Sequence, residues 1–131
     1  MTEPHWLSLR LVLLIHSYSL AEHGGQNGIR DQALLGSALA RPRNRFMYEP
    51  DVDLADLAAS YSFGLTGNHP FHDGNKRISL SVAGTFVRLN GFRLTIENRA
   101  DAIHTVVELA AGKLSEKEFA AWMRARLRKQ W

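Results

Sequence analysis

His69-Pro70-Phe71-His72-Asp73-Gly74-Asn75-Lys76-Arg77 separates two apolar segments of helical spacing. Upstream, Leu54, Leu57, Ala58, Tyr61 and Leu65 fall on one helical face; downstream, Ile78, Val82, Phe86 and Leu89 do the same. A residue before proline is pushed out of the right-handed helical region. The upstream helix therefore ends near His69, which leaves the imidazole at a helix terminus and off any packed face. Phe71 is apolar between polar neighbours and is expected to pin the loop to the core. Asp73-Gly74-Asn75 reads as a turn, because Gly accepts positive φ and Asn tolerates it. The turn opens the second helix, whose free N–H groups and positive dipole end form an anion site. Lys76 and Arg77 in that first turn oppose the dipole, at roughly 0.3–1 kcal/mol per charge. Cations placed there against the dipole point to a negative ligand.

The rest of the chain reads as scaffold. Trp6 to Glu22 is a strongly apolar helix closed by His23-Gly24-Gly25. Asp31 to Ala40 forms a second helix, with Asp31 as N-cap and Pro42 just beyond its end. Arg43 to Asp53 reads as a polar loop containing Pro50. The helix that begins at the Gly-Asn turn runs to Asn90-Gly91, a C-cap pair. Phe92 to Ile96 is a short extended piece. Asn98 caps a fifth helix carrying Ile103, Val106, Val107 and Ala110. Ser115 and Glu118 form a capping box for a sixth, which carries Phe119, Trp122 and Met123. Strand alternation is nearly absent. The expected architecture is all-α: a compact six-helix bundle in one domain, residues 1–131, with the loop joining two central helices.

At 131 residues the chain is long enough for a real core, and 45% hydrophobic content is ordinary for a globular protein. It has no cysteine, so neither a disulfide framework nor a thiolate metal site is possible. Leu11 to Ile15 is too short to span a bilayer. Met1 to His5 contains Glu3 and no basic cluster, unlike a secretory signal. The expected location is the cytoplasm. Part of the net charge of +3 lies in Arg124, Arg126, Arg128 and Lys129. These cations suit the last turns of a helix; contact with nucleic acid or an acidic partner is the alternative. Trp131 fits neither reading. Arg41, Arg43 and Arg45 read as a solvated cluster, with contact to an acidic partner as the alternative; Glu49, Asp51, Asp53 and Asp56 read as a solvated loop and helix start. Arg30 and Asp31 read as a structural salt bridge or cap. His5, His16, His23 and His104 read as ordinary core or surface histidines, and His72 as solvent-facing. The His72-Asp73 pair alone is a weak match to a metal-dependent HD phosphohydrolase.

HPFHDGNKR resembles the HPFx(D/E)GN(G/K)R motif of the Fic/Doc superfamily at every fixed position. Gly28-Ile29-Arg30-Asp31, Leu34-Leu35 and Ser37-Ala38-Leu39-Ala40-Arg41-Pro42 resemble the upstream segment of the death-on-curing (Doc) toxins, so the likeness covers nearly the whole chain. The resemblance implies a role for each motif residue. His69 matches the base that deprotonates a hydroxyl of a target protein. Asp73 matches the carboxylate that holds Mg²⁺ on the nucleotide phosphates. Gly74 and Asn75 match the anion cradle, Lys76 and Arg77 the phosphate contacts, and Phe71 the loop anchor. These roles suit the residue types. Imidazole is a base near neutral pH, and Mg²⁺ takes oxygen ligands, usually one or two carboxylates plus phosphate.

Two positions separate the family's reactions. Many adenylyl-transferring Fic proteins have a second arginine where this chain has Leu80, and glycine where it has Lys76. Doc toxins have the lysine, and their precedent is phosphoryl transfer. Gly74 is the Fic-like exception, since the Doc type member has alanine there. The resemblance therefore implies a Doc-like toxin that uses Mg²⁺ and ATP or another nucleoside triphosphate. It would phosphorylate a Ser or Thr hydroxyl of a cytosolic protein, by precedent a translation elongation factor, and arrest translation. The implied partner is an antitoxin whose disordered tail folds on binding. Neither a membrane nor a nucleic acid is expected as partner. Adenylyl transfer to a protein hydroxyl is the alternative, followed by a catalytically silent or nucleic-acid-binding module.

Overall fold

The computed structural model describes residues 1–130, so Trp131 lies outside the described residues. Within the described residues, six helices and two short strands follow one another. They are α1 (Leu9–His23), α2 (Gln32–Tyr48), α3 (Leu54–Asn68), α4 (Asn75–Leu89), β1 (Phe92–Leu94), α5 (Arg99–Ala110), α6 (Glu116–Arg124) and β2 (Leu127–Lys129). The fold is all-α, as expected, with one small antiparallel ribbon that pairs Phe92 with Lys129 and Leu94 with Leu127. Among the described residues, no helix is long and apolar enough to cross a membrane.

The centre of the molecule is α3. Its residues are apolar or small on nearly every side, the pattern of a helix buried all round, and α2, α4, α5 and α6 pack around it. Tyr61, Leu57 and Leu65 of α3 meet Ile78, Val82 and Phe86 of α4 and Phe119 and Met123 of α6 in one core. The Tyr61 and Phe86 rings lie 5.0 Å apart, and the Tyr61 hydroxyl accepts from the Leu7 N–H at 3.1 Å. Small residues allow the closest approach: a Cβ built on Gly64 of α3 would sit 3.0 Å from Ala38 Cα of α2. Ser62 Oγ donates to the Ser79 carbonyl at 2.9 Å and ties α3 to α4.

Several boundaries differ from the sequence reading. The first helix begins at Leu9, because the Ser8 hydroxyl accepts from the Leu11 N–H and caps it. The second runs through Pro42 to Tyr48, so the expected stop at Ala40 and most of the expected loop from Arg43 are helix. An interior proline costs a helix ~3 kcal/mol. Here the ring of Pro42 is buried, and the turns beyond it carry Arg41 and Arg45 to acidic partners. Arg41 donates two hydrogen bonds to Glu116. Arg45 bonds Glu49 and Ser60 and lies 3.4 Å from Glu116. This arginine cluster is therefore not solvated as a whole. The acidic run opens a helix, as expected, but its last two members are paired as well. Asp53 and Asp56 cap α3 and bind Arg124 at 2.7–3.1 Å. The basic C-terminal stretch is not the end of a helix beyond Arg124. Arg126 stacks on Trp122 at 4.3 Å, and Arg128 and Lys129 lie in β2.

Candidate active site

The motif occupies the turn between α3 and α4. His69 is the C-cap of α3, at φ 51° and ψ 54°. The helix stops before the proline, as expected; His69 leaves the right-handed region for the left-handed one, a strained state for a side chain with a Cβ. Arg30 holds it there. Its Nε donates to the His69 carbonyl at 2.7 Å and its Nη2 to the Asn68 carbonyl at 2.9 Å, so the guanidinium caps α3. No ion pair joins Arg30 to Asp31. Asp31 instead caps α2 through the Leu34 N–H. The His69 imidazole is exposed and makes no hydrogen bond to the described residues.

The segment upstream of α2 lines the loop. The Pro70 carbonyl accepts from the Arg30 and Asp31 N–H groups at 2.7 and 3.0 Å, and the His72 N–H donates to the Gly28 carbonyl. Ile29 and Phe71 form a bridge. Phe71 is fully buried. Asn75 locks it: its Nδ2 donates to the Phe71 carbonyl at 2.9 Å and its Oδ1 accepts from the Phe71 N–H at 3.0 Å. The Asn75 side chain thus closes the loop, and only its backbone N–H faces the helix N-terminus. His72 is exposed.

Gly74 is the N-cap of α4, left-handed at φ 83°, with no side-chain cap. The other five helices each have one. The free N–H groups of α4's first turn are therefore available to an anion. Asp73 projects beside them. Its Oδ2 accepts from the Gln26 N–H at 3.2 Å and its Oδ1 from the Gly74 N–H at 3.0 Å. These two N–H bonds, chiefly the one from Gln26, hold its carboxyl below the usual carboxylate range. Gly25 permits this approach, since a Cβ there would lie 2.9 Å from Asp73 Oδ2. Arg77 donates to the Gly24 carbonyl at 3.1 Å. Lys76 is exposed and has no partner among the described residues.

A cavity of about 690 Å³ opens beside the turn. Asp73, Gly74, Lys76 and Arg77 line one part; Leu80, Leu94, Ile96 and the α5 residues Ala102, Ile103, Val106 and Val107 supply a mainly apolar part, with His23, Ser81 and Arg99 as further polar lining. His69 does not line it, and neither do the buried Phe71 and Asn75. Among the described residues, no group of three or more His, Asp or Glu is placed to hold a metal. Among the residues that line the cavity, Asp73 is the single carboxylate. That donor set fits a magnesium ion carried on phosphates, with most of its ligands from phosphate and water.

Two neighbours escaped the sequence reading. His16, taken as an ordinary histidine, is 3% exposed and donates from Nε2 to the Asp73 carbonyl at 2.8 Å. Gly25 reads from sequence only as a helix stop. His16 had one signal: it lies four residues from Val12 and from Leu20, so it falls on an apolar stripe.

A loop of this kind, between two buried helices and beside a cationic cavity, defines a class. A sequence model of the Fic/DOC family matches residues 6–87, more than half the chain, and the chain belongs to that family. Within it the chain is close to the Doc toxins. The protein kinase doc of Escherichia phage P1 is 27% identical over 113 residues, 86% of this chain and 88% of the phage protein. Toxin Doc of Mycolicibacterium smegmatis is 39% identical over 80 residues, 60% of this chain and 61% of that protein.

Proposed function

We propose that the chain is a Doc-like toxin that moves the γ-phosphate of a nucleoside triphosphate onto a Ser or Thr hydroxyl of a protein. The observation that carries this reading is the shared wall of Asp73, Gly74, Lys76 and Arg77 on one cavity. Phosphates would lie against the uncapped first turn of α4, with Lys76 and Arg77 neutralising their charge. Asp73 would hold the Mg²⁺ that arrives with the nucleotide, and that ion supplies further charge neutralisation. His69, exposed at the end of α3, is free to receive a hydroxyl from solvent. It would take the hydroxyl proton as the oxygen bonds to the γ-phosphorus. The bond from that phosphorus to the β-phosphate oxygen breaks, and nucleoside diphosphate leaves. No covalent enzyme intermediate is required.

Lys76 on the cavity wall and the apolar Leu80 beside it favour phosphoryl transfer. Gly74, shared with the adenylyl-transferring relatives, favours the alternative. By the precedent of the Doc toxins the target is a cytosolic translation elongation factor, and the outcome is arrested translation. The restraining partner would be an antitoxin whose disordered tail folds onto the toxin. The test is expression of wild type beside His69→Ala without any partner, followed by intact-mass analysis of host proteins. Growth arrest and a phosphate-sized gain with wild type alone are expected. Unimpaired growth with an intact motif would sink the proposal.

A further inference from the structure

His16 is buried under the motif yet has no part in the chemistry above. Its ring stacks on Phe71, with centroids 3.8 Å apart and planes 11° from parallel. A Cβ built on Gly74 would lie 3.7 Å from its Nε2, so the ring underlies the turn. The Asp73 carbonyl can only accept, so the Nε2 that meets it at 2.8 Å carries the proton. The peptide between Asp73 and Gly74 is trans and planar, so its C=O and N–H point in opposite directions. Holding the oxygen on His16 aims the Gly74 N–H outward, where Asp73 Oδ1 now accepts it. Glycine has no Cβ to resist rotation of that plane. A flip would turn the N–H inward and present a carbonyl oxygen to the anion.

We propose that His16 is a positioning residue that blocks this flip and keeps the turn facing phosphate. The proposal rests on the nucleotide-binding reading of the site. MgATP and MgGTP are titrated calorimetrically into the full-length wild type, His16→Phe and His16→Gln, with a melting curve for each. Phe keeps a flat ring on Phe71 and lacks the donor; Gln restores an N–H donor. Met123→Val, in the core on α6, is a destabilised control. The expected result is binding weakened about tenfold or more in His16→Phe, largely recovered in His16→Gln, and unchanged in the control. Wild-type affinity in His16→Phe overturns the proposal. So does a loss that His16→Gln fails to recover, or one that the control shares. A wild type that binds neither nucleotide instead defeats the proposed function.

Discussion

His69 has a left-handed backbone that a residue with a Cβ reaches at a cost of about 1–3 kcal/mol, and Arg30 supplies the restraint. Arg30→Ala removes two charge-assisted hydrogen bonds to carbonyls at the end of α3. The expected loss is about 1–2 kcal/mol of stability by denaturant titration. Turnover should fall as well, because the His69 backbone can relax toward extended geometry. Gly25→Ala tests the approach of its loop to Asp73. The new Cβ would meet the carboxylate at 2.9 Å, at a φ of +121°. Nucleotide binding should weaken more than the melting temperature falls; an unchanged affinity would show that the carboxylate has room. The turn itself was legible in sequence, since Pro70, Gly74 and the flanking periodicity are local signals. Arg30, Gly25 and His16 were not, because their partners lie 38 to 57 residues away and a single sequence carries no record of such pairs.

At the scale of elements, the main surprise is α2. Proline at position 42 reads locally as a stop, yet the helix continues because Arg41 and Arg45 find Glu116 across the bundle. Glu116 is 15% exposed on its side chain. Burial alone would raise its carboxyl, but the hydrogen bonds from Arg41 and Ser60 and the two guanidinium charges hold it below its ordinary value. Glu116→Ala leaves both arginines without this partner and should cost about 2–3 kcal/mol. The Asp53–Arg124 pair joins the start of α3 to the end of α6. Hydrogen bonds from Arg124 lead in holding the Asp53 carboxyl at about 2, against an ordinary 3.8. A lowered folded-state value means that the contribution is complete above the ordinary value and fades as pH falls toward about 2. Arg124→Gln should therefore lie below wild type in stability at pH 5 and above, and the gap should close between pH ~4 and ~2. The pair is about half exposed, so the gap should not exceed about 1 kcal/mol. A gap that widens with acid would contradict this assignment.

Across the whole molecule, α3 and α4 hold the turn between them, the 28–31 segment pairs with one side of it, and α1 underlies it. The bundle was legible because periodicity and capping boxes recur along the chain. The ribbon of β1 and β2 was only half legible: three-residue strands carry almost no pattern, and each depends on a partner distant in sequence. The cavity's apolar wall was not legible at all, since Leu94, Ile96 and α5 join the motif only in the folded chain. The central claim is that this cavity delivers a terminal phosphate. It is tested most directly by incubating wild type and His69→Ala with cell extract, Mg²⁺ and a triphosphate labelled separately at the α and γ positions. Label should pass from γ to protein with wild type and not with His69→Ala. Label passing from α, or no transfer at all, would contradict the claim.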